Sequence, residues 1–155
     1  MPFPNSTPLP VRANIGFVLG LTGAVVMLAM DWVETLIAPS EMSDMLASAF
    51  AGAAVAGFLT APLFGQPGKG GIGWACLGAL LATSIGAGLG GLFFTLANVL
   101  ADGRPEVITL SGLLSVFAIS TVLVVSLIAT TLVAPVWLIV MGAAHVVARV
   151  IRKAA

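Results

Sequence analysis

Charge is what this 155-residue sequence lacks most: it has six Lys and Arg, six Asp and Glu, and a formal net charge of zero. A soluble domain carries charge on about a quarter of its positions, whereas here the fraction is 8%. So few charges cannot coat a water-facing surface, and a neutral chain has no electrostatic drive toward nucleic acid. There is one cysteine, one histidine and no tyrosine. The lone Cys76 excludes an intrachain disulfide and a cysteine metal cluster. It lies in an apolar segment and reads as a small buried hydrophobe. The lone His145 excludes bis-histidine ligation within the chain. No Ser-His-Asp set and no metal-ligand spacing occurs, so no cofactor, metal or enzymatic activity is expected.

What is present is apolar. Hydrophobic residues make up 59% of the chain, and the mean hydropathy is +1.15. The class that fits is an all-α polytopic membrane protein forming a single domain.

Four spans are expected, each near or above the roughly 20 residues a bilayer requires. The first covers residues 15–37, stopped by Pro39 and read as a retained helix rather than a cleaved signal. The second covers 45–64, with Ser43 or Asp44 as N-cap and Pro62 and the Gly-rich run 65–71 at its end. The third covers 72–100 and the fourth 110–132. A bend at Pro135 should follow, then an amphipathic helix over 136–153 lying on the membrane surface. The prolines at 2, 4, 8 and 10 predict an extended lead-in as far as Asn14. Asn5-Ser6-Thr7 matches a glycosylation sequon, on the wrong side of the membrane for use.

With four crossings, Arg12, Lys69, Arg149, Arg152 and Lys153 share one side and only Arg104 faces the other. Cations mark the cytoplasmic side, so both termini are expected there, in a bacterial inner membrane. The carboxylates Asp31, Glu34, Glu41, Asp44, Asp102 and Glu106 collect on the opposite side. Trp32, Trp74 and Trp137 fall at expected interfacial levels.

Small residues recur every four positions. Gly16 and Gly20 mark the first helix, Gly52 and Gly57 lie in two adjoining stripes of the second, and Gly78, Gly86 and Gly90 line the third. Such stripes let backbones approach where apolar burial gives no drive, so these glycines are the expected helix-packing positions, with the second and third helices central. Residues 86–91 also satisfy the letters of a dinucleotide-binding glycine motif. The strand and exposed helix N-terminus that chemistry needs are missing inside a membrane helix.

Two sets of polar residues stand out. Asp31 and Glu34 are three apart on one helix face and form a candidate cation or proton site. Interfacial solvation, or pairing with Arg104, is the competing reading. His145, Arg149, Arg152 and Lys153 build one polar face of the last helix, expected to contact anionic lipid or an acidic partner. The first functional reading is a non-enzymatic accessory or scaffold subunit of a larger membrane complex, possible bioenergetic assemblies included. The second is a small homo-oligomeric transporter or channel using Asp31 and Glu34. The third is a membrane-remodelling or assembly factor acting through the basic tail.

Overall fold

The computed structural model describes residues 7–34, 42–130 and 132–154. Among them every regular element is helical: α1 (Leu9–Glu34), α2 (Met42–Thr60), α3 (Gly68–Ala101), α4 (Leu110–Thr130) and α5 (Val133–Ala154), with short 3-10 turns at Ala61–Leu63 and Pro105–Val107. All five helices are long and apolar enough to cross a membrane.

The first three helices form an antiparallel layer with α2 in the middle, and small residues set the spacing. A Cβ on Gly16 would lie 2.8 Å from the Ala54 carbonyl oxygen of α2, and one on Gly57 would lie 2.7 Å from Leu19 of α1. On the other side of α2, a Cβ on Gly52 would fall 2.8 Å from the Gly90 Cα of α3. Gly86 faces Ala53 in turn, and Gly90 faces Ser48 and Ala49. Gly20 sits under the ring of Phe50, and Gly78 under Leu63 and Phe64. The Phe50 ring also meets Phe17 edge-on, with centroids 5.7 Å apart. Large apolar side chains point outward instead: Leu9, Leu80, Leu114 and Ile139 are all exposed. Such an inside-out arrangement suits lipid surroundings, where burying Leu has no advantage over leaving it at the surface. Cys76 is exposed for the same reason, not buried as expected.

The last part of the chain departs from the reading of one span followed by a surface helix. Helix α4 ends at Thr130 and α5 starts at Val133, ahead of Pro135. Pro135 is the third residue of α5, where a helix needs no N–H from it, so it starts a helix here rather than bending one. Nor does α5 lie apart from the bundle. Its first residue, Val133, packs in one cluster with Val26 and Met30 of α1 and Ile128 of α4. Further along, Ala144 and Ala148 pack with Ile15 and Val11 of α1, and with Ala79 and Ala82 of α3. The helix therefore runs antiparallel to α1, down to its beginning. The N-terminal lead-in also differs: α1 begins at Leu9 rather than near Ile15, because Pro10 occupies a first-turn position that tolerates it. The sequon falls partly outside the described residues.

The two ends of the described chain meet. Arg152 of α5 donates a 2.9 Å hydrogen bond to Thr7, just ahead of α1. The chain thus starts and finishes at one end of the bundle (the near end), which also carries the α2–α3 connection. The far end carries the α3–α4 connection.

Substituting Gly52 tests the packing directly. Gly52→Leu drives a side chain into the α3 backbone, which has no flexible end to yield, and is expected to cost about 3 kcal/mol. Gly142 has nothing within 4 Å of its Cβ position, so Gly142→Ala should raise stability by about 0.5–1 kcal/mol. Thermal unfolding in mild detergent, followed by circular dichroism, separates the two.

Candidate functional site: a polar latch and an apolar cavity

At the near end, α2 finishes in the turn Ala61–Leu63 and the chain reverses through Gly65 before α3 begins. The final carbonyls of a helix have no partner within it. Arg152 supplies one: its Nε donates to the Phe64 carbonyl at 2.7 Å, and its Nη2 to the Ala61 carbonyl at 2.9 Å. The same Nη2 holds the Thr7 hydroxyl. A planar guanidinium fits three acceptors on different segments because its donors are spread in a fixed fork. Thr7 is itself anchored, its carbonyl accepting a 3.0 Å bond from Arg12 Nε.

One turn-pair earlier on α5, His145 Nδ1 accepts a 3.1 Å hydrogen bond from the Gly65 N–H. That nitrogen therefore carries no proton, and the neutral ring has its proton on Nε2. Gly65 has φ of +73°, and a Cβ there would lie 2.7 Å from the Ala148 carbonyl carbon. Only glycine meets both demands, a left-handed backbone and contact with the α5 backbone. Gln66 closes the turn by donating to the Pro62 carbonyl at 2.8 Å.

The polar face of α5 is thus divided. His145 and Arg152 are seven residues apart, a spacing that returns to within about 20° on a helix. Both turn into the bundle as structural hydrogen-bonding groups, which their sequence pattern alone did not separate from a lipid-facing role. Arg149 and Lys153 are rotated away from that line and are exposed.

Toward the middle and far end lies an apolar cavity of about 400 Å³, bounded by all five helices. Met27 and Met30 of α1, Met45 of α2, Phe94 of α3, Leu127 of α4 and Trp137 and Met141 of α5 form much of its wall. Among the described residues, its lining contains no Asp, Glu, Lys, Arg or His. Trp137 reaches across it to donate a 2.9 Å hydrogen bond to the Thr83 hydroxyl. This ties α5 to α3 and leaves Trp137 half-buried against the bundle. Thr121 of α4 donates to the Ser84 carbonyl at 3.0 Å, fixing where α4 crosses α3.

Of the other expected site, Asp31 and Glu34, only the Asp31 side chain falls within the described residues. Asp31 is half-buried near the far end of α1 and does not line the cavity. The side chain of Glu34 lies outside the described residues, as do those of Glu41 and Lys69. Arg104 is exposed in the α3–α4 connection, and Trp32 is 85% exposed. Among the described residues, no three His, Cys, Asp or Glu side chains come together as metal ligands do. The chain matches no known protein family, no curated protein and no solved structure.

Removing the latch should loosen α5. Arg152→Gln takes a donor from the Phe64 carbonyl and from the Ala61 carbonyl, which keeps only its 3.2 Å bond from the Phe64 N–H, and is expected to cost about 2 kcal/mol. Hydrogen–deuterium exchange should then rise in residues 61–66 and 144–154 together. Arg152→Lys should recover only part of the protection, since an ammonium cannot span the same acceptors. Arg149→Gln should leave exchange unchanged.

Proposed function

We propose that this chain is a small, non-enzymatic integral membrane protein that serves as an accessory or scaffold subunit within a larger membrane complex. The observation carrying this reading is the outer face of α4. Ser111, Ser115, Ala118, Val122, Ser126 and Ala129 fall on one stripe of that helix and are all exposed. They repeat at three, four and seven residues, which keeps them on one side. Small and hydroxyl-bearing side chains are what close helix–helix contacts in membranes use, and a purely lipid-facing helix has no need of them. In α1, α2 and α3 the same kind of stripe is already occupied by a neighbouring helix. On α4, whose only buried residue is Ile128, it is unoccupied.

The membrane arrangement belongs to the same reading. The chain makes four net crossings, the last shared by α4 and α5 as a discontinuous pair. The contact of Arg152 with Thr7 supports it, because an odd number of crossings would separate those residues by the thickness of the bilayer. Both termini are cytoplasmic, in a bacterial inner membrane. The support is the excess of cations at the near end: Arg12, Lys69, Arg149, Arg152 and Lys153 against Arg104. Exposed Arg149 and Lys153 remain available to anionic lipid headgroups. A transporter built on Asp31 and Glu34 gains no support from the described lining of the cavity, which does not include Asp31.

The test is the composition and mass of the assembly extracted in mild detergent. A stoichiometric complex with larger, unrelated subunits is expected, and Ser115→Leu with Ser126→Leu should release this chain from it while leaving its own helix content unchanged. A stable self-assembly alone, untouched by those substitutions, would sink the proposal.

A further inference from the structure

We infer that the cavity enclosed by the five helices is a binding site for a single linear hydrocarbon chain, such as the tail of a membrane lipid. Its shape is the first argument. Along α3 its wall runs from Ala82 to Thr95, thirteen residues and so about 20 Å at the rise of a helix. Along α1 it runs from Leu19 to Met30, about 16 Å on the same scale. A volume of about 400 Å³ spread over that length is narrow and elongated, with its long axis along the helices. Lipid tails run in the same direction.

The lining is the second argument. Of the six methionines in the chain, four (Met27, Met30, Met45 and Met141) border this one space. Methionine is flexible and polarisable and moulds itself to varied apolar ligands. Four of them around an elongated gap provide an adaptable wall, where branched side chains would have filled the gap themselves. Among the described residues no ionisable side chain lines the space, so a charged or strongly polar ligand finds no counterpart in that wall. Water is poorly served too: the Thr83 hydroxyl is engaged by Trp137, and the other polar side chains of the lining are scattered hydroxyls. A stable buried water needs two to four partners.

Access is the third argument. Leu123 of α4 borders the cavity yet is 54% exposed. The cavity therefore reaches the outer surface beside α4, where lipid would surround the protein, and a tail can enter sideways without meeting solvent. This inference rests on the chain being a membrane protein. It does not depend on an accessory role, because a chain-binding cavity and the α4 stripe occupy different faces of that helix.

Trp137 reports on the site. Trp32→Phe with Trp74→Phe leaves it as the single tryptophan of the full-length chain. Reconstituted in nanodiscs of saturated phosphatidylcholine, this variant is titrated in two arms, one with dibromostearate and one with phosphatidylcholine bearing dibrominated chains. Bromine quenches indole on contact. Quenching that saturates at low mole fraction in either arm is expected, and the arm that produces it identifies a free or a lipid-borne chain. Ala87→Phe, which fills the cavity from α3, should weaken the saturable part about tenfold. Thr95→Phe, nearer the other end, is the second variant should the first fail to fold. Quenching that only follows the bulk bromine content, or that ignores both fillings, overturns the proposal. So does an absence of quenching, the result expected if water or a second copy of the chain occupies the space.

Discussion

Everything in this bundle depends on how closely the α2 backbone approaches its neighbours. A Cβ on Gly52 would lie within 3 Å of the α3 backbone, and one on Gly16 within 3 Å of the α2 backbone. In a lipid environment apolar side chains gain little by leaving the surface, so dispersion between closely fitted backbones must hold the helices together. Glycine and alanine at four-residue spacing make that fit possible, and the large side chains are displaced outward. From this single constraint follow the antiparallel order of α1, α2 and α3, the apolar exterior, and the scarcity of any conventional core.

The constraint leaves two problems that α5 solves. Where α2 ends, carbonyl groups lose their helical partners in a setting with little water to replace them. Arg152 and His145 satisfy the turn from the opposite end of the sequence, so two of the chain's few polar groups serve to close its fold. Further up, α4 meets α3 through Phe117 against Gly88 and Thr121 on Ser84, then turns toward α1. It leaves a gap that α5 bounds but does not fill. The apolar cavity is the space left where three tightly packed helices meet two loosely packed ones. Its methionine wall faces inward and the bare stripe on α4 faces outward, and the two proposals, a bound chain and a partner helix, rest on these two surfaces.

Much of the fold was legible beforehand. The apolar runs located the helices to within a few residues, apart from the start of α1, and the glycines singled out from spacing lie at close helix contacts. Periodicity is a local property, and a helix of 3.6 residues per turn expresses it in any surroundings. The passage from the end of α4 at Thr130 to the start of α5 at Val133 left no comparable mark in the sequence, because no glycine, proline or charge lies between them. Its cause is distant: Val133 is held against Val26 and Met30, and Trp137 against Thr83. Pro135 drew attention as a bend and instead begins a helix.

The sequence by itself determined that the chain is helical, that its helices are long and apolar enough to cross a membrane, and which helix faces are small enough to meet. These follow from composition and short-range spacing, which no tertiary contact alters. Only the tertiary structure decided which polar groups are free. Arg149 and Arg152 are three residues apart and chemically identical, yet one is exposed and the other is bound to Thr7, Ala61 and Phe64. A rotation of about 60° between them on the helix is too small to read as function without knowing where the neighbouring backbones lie. The cavity is likewise a property of how five helices diverge, since its wall is assembled from residues more than a hundred positions apart, and no local pattern records a space.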